Sequence, residues 1–279
     1  MPKKIRICAV QFKVKKSFDD NINRVENFFR IANKKNCDII CFPEIFLSGP
    51  FDKLKYSNDS IIKSKRIFSG LSKKYGLFSI MVSIAERIGE TYYNISYFFD
   101  DSGDILGSYR KNHLVLKSEG ESMTAGDDVN VFRTKIGNIG IEICRDLLYP
   151  EITRKLMLKG ADIVFCPSFW CSISSSYDWI YNHKYFKDIA PREVDHLVSS
   201  RSIESELFFV YVNAAGAFNY KKTRNILLGR TQIGSPFYGT TAIMEHNKEG
   251  VLIADADLKV SSDARKVYKI ERDLKNYYR

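Results

Sequence analysis

The sequence has no long apolar run. Every hydrophobic stretch is well short of the roughly 20 residues that a membrane-spanning helix needs. The N-terminus, MPKKIRICAVQF, passes from two lysines directly into a strand-like pattern, without the apolar segment and cleavage site of an export signal. Repeats, low-complexity tracts and linkers rich in Pro, Gly or Ser are also missing. We therefore expect a cytoplasmic protein that does not bind membranes and that forms a single domain over residues 1–279.

Histidine is scarce, and the cysteines are not spaced as zinc ligands. The chain has 4 histidines and 6 cysteines, and Cys37-x-x-x-Cys41 and Cys166-x-x-x-x-Cys171 lack the paired short spacings of a structural zinc site. None of the histidines lies in a motif that resembles the base of a cysteine protease. We therefore expect reduced thiols, no metal, and any cysteine chemistry to use a partner other than histidine.

The charge of +10 is not concentrated in a nucleic-acid-binding motif. The Lys and Arg residues are scattered, as in KKNCD, KSKR and ARKVYK, and signatures of RRM, zinc-finger or helix-turn-helix domains are missing. This distribution favours a lysine-rich, solvated surface. We expect no nucleic-acid partner.

The apolar periodicity predicts a mixture of strand–helix–strand units and hairpins. Such a mixture is typical of an α/β or α+β sandwich, and the continuous apolar strands indicate sheets covered on both faces. Asp19 or Asp20 is the expected cap of the first helix. Predicted helices are 21–35, 60–75, 150–159 and 192–206; predicted strands are 5–12, 37–44, 77–84, 161–167 and 207–214; predicted hairpins are 91–111, 129–144 and 240–258.

The last stretch, residues 261–279, is charged and aromatic with no clear core face. Two interpretations fit this composition. The stretch is either a C-terminal arm that packs on a partner subunit or a poorly ordered tail.

Three polar residues each follow an apolar strand. Cys144 ends IGIEIC before the helix that Pro150 begins, Glu44 ends CDIICFPE, and Lys111 ends DILGSYRK. A lone free cysteine is more often a small buried side chain. If the three strand ends meet at one rim, however, they form a set suited to acyl transfer: a thiol nucleophile, a carboxylate base and an ammonium that stabilises the oxyanion.

The segments FPEIFLSG, YRKNHL and GIEICRDLLYPE resemble the three motifs of the nitrilase (carbon–nitrogen hydrolase) superfamily, in the same order. The flanks AVQF, LKGADIVFCPSFW and RSIESELFFVYVNAAG extend the resemblance over about 5–255. The resemblance implies a single-domain, four-layer α-β-β-α sandwich. It also implies a homodimer or higher homo-oligomer that pairs through the helices beside the nucleophile, with no metal or organic cofactor.

The resemblance also implies roles for individual residues. Glu44 would be the general base, Lys111 the oxyanion-stabilising residue and Cys144 the nucleophile. Many members carry a second glutamate seven residues before a glycine, and counting back from Gly126 gives Glu119. Glu121 is the rival, because the loop KSEGESMTAG lacks the family's usual aromatic and proline.

The residues after Cys144 bear on the substrate. By resemblance, Arg145-Asp146 points to amide or N-carbamoyl substrates rather than nitriles, while Leu147 and Leu148 occupy positions where relatives that bind acidic substrates carry arginine. We therefore expect a small molecule with a neutral or cationic acyl tail, packed against Tyr149 or Trp170. The Arg145 side chain either holds Asp146 or another carboxylate, or contacts the substrate.

Two other functions are compatible with the sequence. The chain could be a glutamine amidohydrolase that delivers ammonia to a partner, or a non-catalytic protein that keeps the fold for protein interaction. The intact Glu44, Lys111 and Cys144 set argues against the second of these.

Overall fold

The computed structural model describes residues 4–49, 58–115, 119–120, 122–173, 189–220 and 223–277. A short 3-10 helix covers Cys144–Leu148. The helices are α1 Phe18–Lys34, α2 Asn58–Tyr75, α3 Pro150–Leu158, α4 Ile189–Glu204, α5 Leu258–Val267 and α6 Ile270–Tyr277. The strands are β1 Lys4–Gln11, β2 Ile39–Cys41, β3 Phe78–Ile88, β4 Thr91–Phe99, β5 Ile105–Arg110, β6 Val131–Thr134, β7 Gly137–Ile141, β8 Ile163–Ser168, β9 Cys171–Ile173, β10 Phe208–Asn213, β11 Ala217–Tyr220, β12 Thr223–Leu227, β13 Gln232–Ser235, β14 Gly239–Ile243 and β15 Gly250–Asp257.

Two six-stranded sheets form the centre of the fold. Their strand orders are β15-β1-β2-β3-β4-β5 and β14-β13-β10-β8-β7-β6, and β9, β11 and β12 make a small third sheet. Successive side chains of β1 enter different cores, because Ile7 packs with residues of the second sheet while Cys8 packs with α1 and α2. Helices α3 and α4 cover the other face of the second sheet, where Leu156 lies against Gly140. The predicted four-layer α-β-β-α sandwich is confirmed.

Helix α1 shows how local sequence sets an element of the outer layer. Its apolar face buries Ile22, Val25 and Phe29 against the first sheet. The cap is Ser17, whose Oγ accepts the backbone N–H of Asp20 at 3.3 Å. The prediction of Asp19 or Asp20 as the cap is therefore wrong, and both carboxylates instead lie in the first turn, where the helix dipole favours negative charge.

The hairpins β4/β5 and β6/β7 form as predicted, but the last predicted hairpin does not. Strand β14 pairs with β13 in the second sheet, whereas β15 pairs antiparallel with β1 in the first. The short polar segment between two apolar runs therefore connects the two sheets and does not turn within one. Sequence periodicity reports strands, but not the sheet that each strand joins.

The C-terminal stretch is attached to the body over its described length. Helix α5 buries Leu258, Ser261 and Ala264, and Arg265 Nη1 lies 3.1 Å from Asp162 Oδ1. The Glu206 carboxylate accepts the backbone N–H groups that begin α6. The expectation that residues from 261 onward have no core face is therefore wrong for α5, and an arm onto a partner subunit stays a prediction.

All six cysteines are buried, and none of them forms a disulfide. Among the described helices, none combines the length and the apolar character needed to cross a bilayer.

Candidate active site

Three of the predicted site residues meet in one buried cluster between the two sheets. The Nζ atom of Lys111 lies 2.8 Å from Glu44 Oε1 and 2.8 Å from Glu119 Oε2. Lys111 is only 1% exposed and Glu44 3%. A buried ammonium is tolerated where carboxylates surround it in this way. Glu119 is thus in contact with Lys111, while its rival Glu121 lies outside the described residues.

Glu119 reaches Lys111 because its loop packs closely on the end of β5. The N–H of Gly126 donates to the carbonyl of Lys111 at 2.8 Å, and a Cβ at position 126 would lie 2.4 Å from the Arg110 carbonyl oxygen. Only glycine allows this approach. The N–H of Val115 then donates to Glu119 Oε2 at 2.8 Å, which orients the carboxylate toward the lysine.

Groups at the end of β8, in the second sheet, hold Glu44 in place. The N–H of Glu44 donates to the carbonyl of Ser168 at 3.2 Å, and the N–H of Phe169 donates to Glu44 Oε2 at 3.1 Å. The carboxylate therefore receives hydrogen bonds from groups on both sheets. The site depends on the packing of one sheet against the other.

Cys144 begins the 3-10 helix that follows β7, with a backbone φ of 49°. This left-handed conformation is unfavourable for a residue with a side chain, and such strain often occurs at functional sites. It makes the chain change direction sharply between strand and helix. The Cys144 thiol lies beside the Glu44 carboxylate and the N–H of Phe169.

Asp146 connects the Cys144 turn to the Lys111 strand. Its fully buried carboxylate accepts hydrogen bonds from the Tyr109 hydroxyl at 2.7 Å, the His113 N–H at 2.8 Å and the Ile143 N–H at 3.0 Å. The His113 ring contributes a further contact at 2.9 Å through Nδ1. His113 therefore binds within the protein, through both its backbone N–H and its ring.

Asn94 on β4 is a member of the cluster that the sequence analysis did not identify. Its Nδ2 donates to Glu44 Oε1 at 2.9 Å and to Glu119 Oε1 at 2.7 Å. Because both partners are carboxylates, the nitrogen and not the oxygen must face them. A polar residue inside the apolar run TYYNISYFF was the available signal, since a buried amide needs partners.

The electrostatics distinguish the two glutamates. Burial raises the pKa of Glu44 above its ordinary value, with Glu119 adding to the effect and Lys111 opposing it. For Glu119, burial acts upward as well, but Lys111 and the hydrogen bonds from Val115 and Asn94 hold its pKa below the ordinary value. Glu119 is therefore a fixed anion, whereas Glu44 is the more basic carboxylate.

The pKa values of Lys111 and Cys144 are both raised. Burial acts to lower the pKa of Lys111, but the two carboxylates raise it well above its ordinary value, so the side chain stays an ammonium. Burial and the neighbouring Glu44 raise the pKa of the Cys144 thiol. The resting site is therefore a thiol beside a carboxylate, so the proton transfer must accompany the chemistry.

The three residues predicted to bind substrate lie in three different environments. Arg145 Nη1 donates to the carbonyl of Leu114 at 2.7 Å, and among the described residues it forms no ion pair with Asp146 or another carboxylate. Tyr149 stacks on His113 with ring centroids 3.5 Å apart. Trp170 is buried in the same apolar cluster as Cys144, and its Nε1 has no hydrogen-bond partner in the described part of the chain. Substrate contact by these residues stays a prediction.

The four-layer sandwich and its buried cluster define a thiol-dependent hydrolase of C–N bonds other than peptide bonds. Comparison with known proteins agrees, because the carbon-nitrogen hydrolase family matches residues 6–266. The chain belongs to this family.

Two full-length relatives are enzymes with different substrates in their names. An omega-amidase NIT2-B of Xenopus laevis is 25% identical over 98% of this chain and 96% of its own length. An N-carbamoylputrescine amidase of Oryza sativa subsp. japonica is 26% identical over 97% and 91%. A probable hydrolase YhcX of Bacillus subtilis is 29% identical over 92% of this chain, which spans only 50% of that protein.

The fold is shared with solved structures. A carbon-nitrogen hydrolase from Helicobacter pylori G27 superposes with a TM-score of 0.85, at 22% identity, over 97% of this chain and 95% of its own.

Proposed function

We propose that this protein hydrolyses a small amide or N-carbamoyl compound through a thioester on Cys144. The observation that carries the proposal is the buried contact of Lys111 with Glu44 at 2.8 Å, beside the Cys144 thiol. These three groups supply the base, the cation and the nucleophile of acyl transfer at one point.

In the first half-reaction, Glu44 takes the thiol proton as Cys144 Sγ attacks the carbonyl carbon. The ammonium of Lys111 and the N–H of Arg145, the second residue of the 3-10 helix, stabilise the oxyanion. Protonated Glu44 then gives its proton to the leaving nitrogen. The C–N bond breaks, ammonia leaves and a thioester remains.

In the second half-reaction, Glu44 deprotonates a water that attacks the thioester. The tetrahedral intermediate collapses, the C–S bond breaks and the proton returns to the thiol. An amide thus yields an acid and ammonia, whereas a carbamoyl compound yields an amine, carbon dioxide and ammonia. Glu119 and Asn94 do not react in this scheme; they hold Lys111 and Glu44 in place.

The acyl tail is neutral or cationic in this proposal. Leu147 is buried in the core and Leu148 is 37% exposed, so neither position after Asp146 offers a cation to a carboxylate. The Nε1 of Trp170, which has no hydrogen-bond partner among the described residues, is a neutral donor near the site. Of the two named relatives, the N-carbamoylputrescine amidase agrees with this tail better than the omega-amidase does. The lack of a cation at positions 147 and 148 also disfavours glutamine, whose tail bears a carboxylate.

Substrate competition tests the tail. We expect kcat/KM for butyramide and for N-carbamoylputrescine to exceed that for glutaramate by about tenfold or more, which corresponds to about 1.4 kcal/mol of discrimination. A preference for glutaramate would contradict the proposed tail. Trp170→Phe should lower kcat/KM for the preferred substrate, and an unchanged value would remove Trp170 from the pocket.

Intact-mass analysis tests the nucleophile. Incubation with the preferred amide should add the mass of the acyl group to the wild type but not to Cys144→Ala, while ammonia release falls to background in the variant. Cys171→Ala is the matched control, since that cysteine is also buried and forms no disulfide. Full turnover by Cys144→Ala would refute the mechanism.

We further infer that the protein is a cytoplasmic homodimer that pairs through the α3–α4 side. Apolar side chains are exposed there on the 3-10 helix, on α4 and in the β13–β14 turn, among them Leu148, Ile203 and Phe237. An exposed apolar cluster of this kind favours association. Sedimentation should give twice the mass of one chain for the wild type, and Ile203→Glu should shift it toward the monomer.

A further inference from the structure

A second buried carboxyl group lies behind the Cys144 turn. Glu142 precedes Cys144 by two residues and is fully buried on the helix-facing side of the second sheet. Its Oε2 accepts the hydroxyl of Thr153 on α3 at 2.8 Å, and its N–H donates to the carbonyl of Phe165 on β8 at 3.0 Å. Within the described chain, Oε1 has no hydrogen-bond partner. The reaction described above makes no use of this group.

Among the described residues, no cation forms a hydrogen bond or ion pair with Glu142. Arg201 on α4 is the nearby positive charge, but its Nη1 pairs with Glu204 at 2.6 Å and its Nη2 donates to the carbonyl of Leu147 at 2.9 Å, while its Nε has no hydrogen-bond partner among the described residues. The other titratable groups that face the carboxyl are Asp146 of the 3-10 helix, Cys166 of β8 and Tyr109 of β5. All of these are neutral or negative.

A buried carboxyl without a bound cation is more stable in its neutral form. Burial, with Asp146 adding to it, raises the pKa of Glu142 to about 8. At neutral pH the group is therefore mostly a carboxylic acid. It joins the start of the Cys144 turn to α3 without adding negative charge to a region that already contains Glu44, Glu119 and Asp146.

We propose that Glu142 is a positioning residue that supports the Cys144 turn in its uncharged form, and that its ionisation in alkaline solution suppresses the reactivity of Cys144. A carboxylate at this position would repel the Cys144 thiolate and the oxyanion through the low-dielectric interior. Activity should therefore decline as Glu142 loses its proton. The inference rests on the proposed role of Cys144 as the nucleophile.

The test is the pH dependence of Cys144 alkylation by iodoacetamide, followed by mass analysis of the Cys144 peptide. Glu142→Gln keeps the shape and cannot ionise. We expect it to match the wild type within about twofold near pH 6.5 and to react up to about tenfold faster near pH 9.5, because a change of one unit in thiol pKa is tenfold in thiolate. Thr153→Val removes the donor that favours the carboxylate. In this variant, the decline of Cys144 reactivity relative to Glu142→Gln should therefore begin at a higher pH than in the wild type. Glu151→Gln, an exposed carboxylate on α3, is the matched control and should follow the wild type.

The proposal would be overturned if the ratio of the Cys144 alkylation rates of Glu142→Gln and wild type stayed constant over this pH range. It would also be overturned if Glu142→Gln reacted more slowly at every pH. Alkylation requires no substrate turnover. The expected pH pattern without hydrolysis of any amide would contradict the proposed function alone, whereas hydrolysis with a constant ratio would contradict the role of Glu142 alone.

Discussion

Lys111 Nζ lies 2.8 Å from Glu44 Oε1, in a cluster where both side chains are almost completely buried. Glu119 contacts the same nitrogen at 2.8 Å, so the cluster of these three side chains has one positive and two negative charges. The surplus carboxylate has a chemical consequence. Glu44 can accept a proton from Cys144 while Lys111 stays balanced by Glu119.

Replacement of Glu44 by glutamine should abolish proton transfer while leaving the fold intact. We expect kcat to fall by about 10²- to 10⁴-fold, the usual contribution of a general base, because the amide is isosteric but cannot accept the thiol proton. Steady-state kinetics on the preferred amide measures this. Glu90→Gln, at an exposed carboxylate, should retain wild-type activity. A Glu44→Gln enzyme within threefold of wild type would exclude Glu44 as the base.

The acid limb of the pH profile should report Glu44. The carboxylate must be deprotonated to act, and its pKa is raised. Therefore kcat/KM should be lost, as pH falls, at a pH above the ordinary glutamate value of 4.5. Glu119→Gln removes a negative neighbour, which should move this limb to lower pH even as kcat declines. An acid limb that stays in place in Glu119→Gln would contradict the coupling of the two carboxylates.

Asp146→Asn should destabilise the protein and reduce its activity together. The carboxylate accepts hydrogen bonds from Tyr109, His113 and Ile143, and an amide must present a donor to at least one of these donors. We expect a loss of about 2 to 4 kcal/mol in unfolding free energy. Urea unfolding measures it, with the exposed Asp59→Asn as control. A stable but inactive variant would instead indicate a direct role in the reaction.

Glu142 should make the wild type less stable as pH rises. Its pKa is about 8 in the folded protein and near the ordinary 4.5 when unfolded, so the folded state holds a proton that the unfolded state releases. The stabilisation is complete below the unfolded pKa and is lost as pH rises through the folded pKa, by about 1.4 kcal/mol per pH unit in between. Glu142→Gln should lack this slope. Urea unfolding at several pH values compares the two proteins, and parallel curves would refute the assignment.

Local pattern identified most elements and the central site residues. Strand ends at Glu44, Lys111 and Cys144 are readable because an apolar run that stops at a polar residue marks both an element and its boundary. Glu119 required the resemblance to a family, since its own loop has no periodicity. Asn94 was missed, although an amide inside a buried strand was a visible signal.

Other features depend on contacts that sequence spacing does not report. The final predicted hairpin failed because β14 and β15 join different sheets. Arg145 binds the carbonyl of Leu114, a backbone group that no side-chain pattern identifies. The cap of α1 is Ser17, and not Asp19 or Asp20 as predicted, because the Ser17 hydroxyl is the group that accepts the N–H of Asp20.

The sequence by itself determined the alternation of strands and helices, the layered arrangement, and the three residues placed at strand ends, because periodicity of side chains decides which face is buried. The tertiary structure decided which groups lie close enough to exchange a proton or to balance each other's charge. Lys111 contacts both Glu44 and Glu119, and Glu142 has no bound cation among the described residues, because the two sheets and their helices pack in one particular register. Burial and proximity set these charges, and both arise from residues distant in the chain.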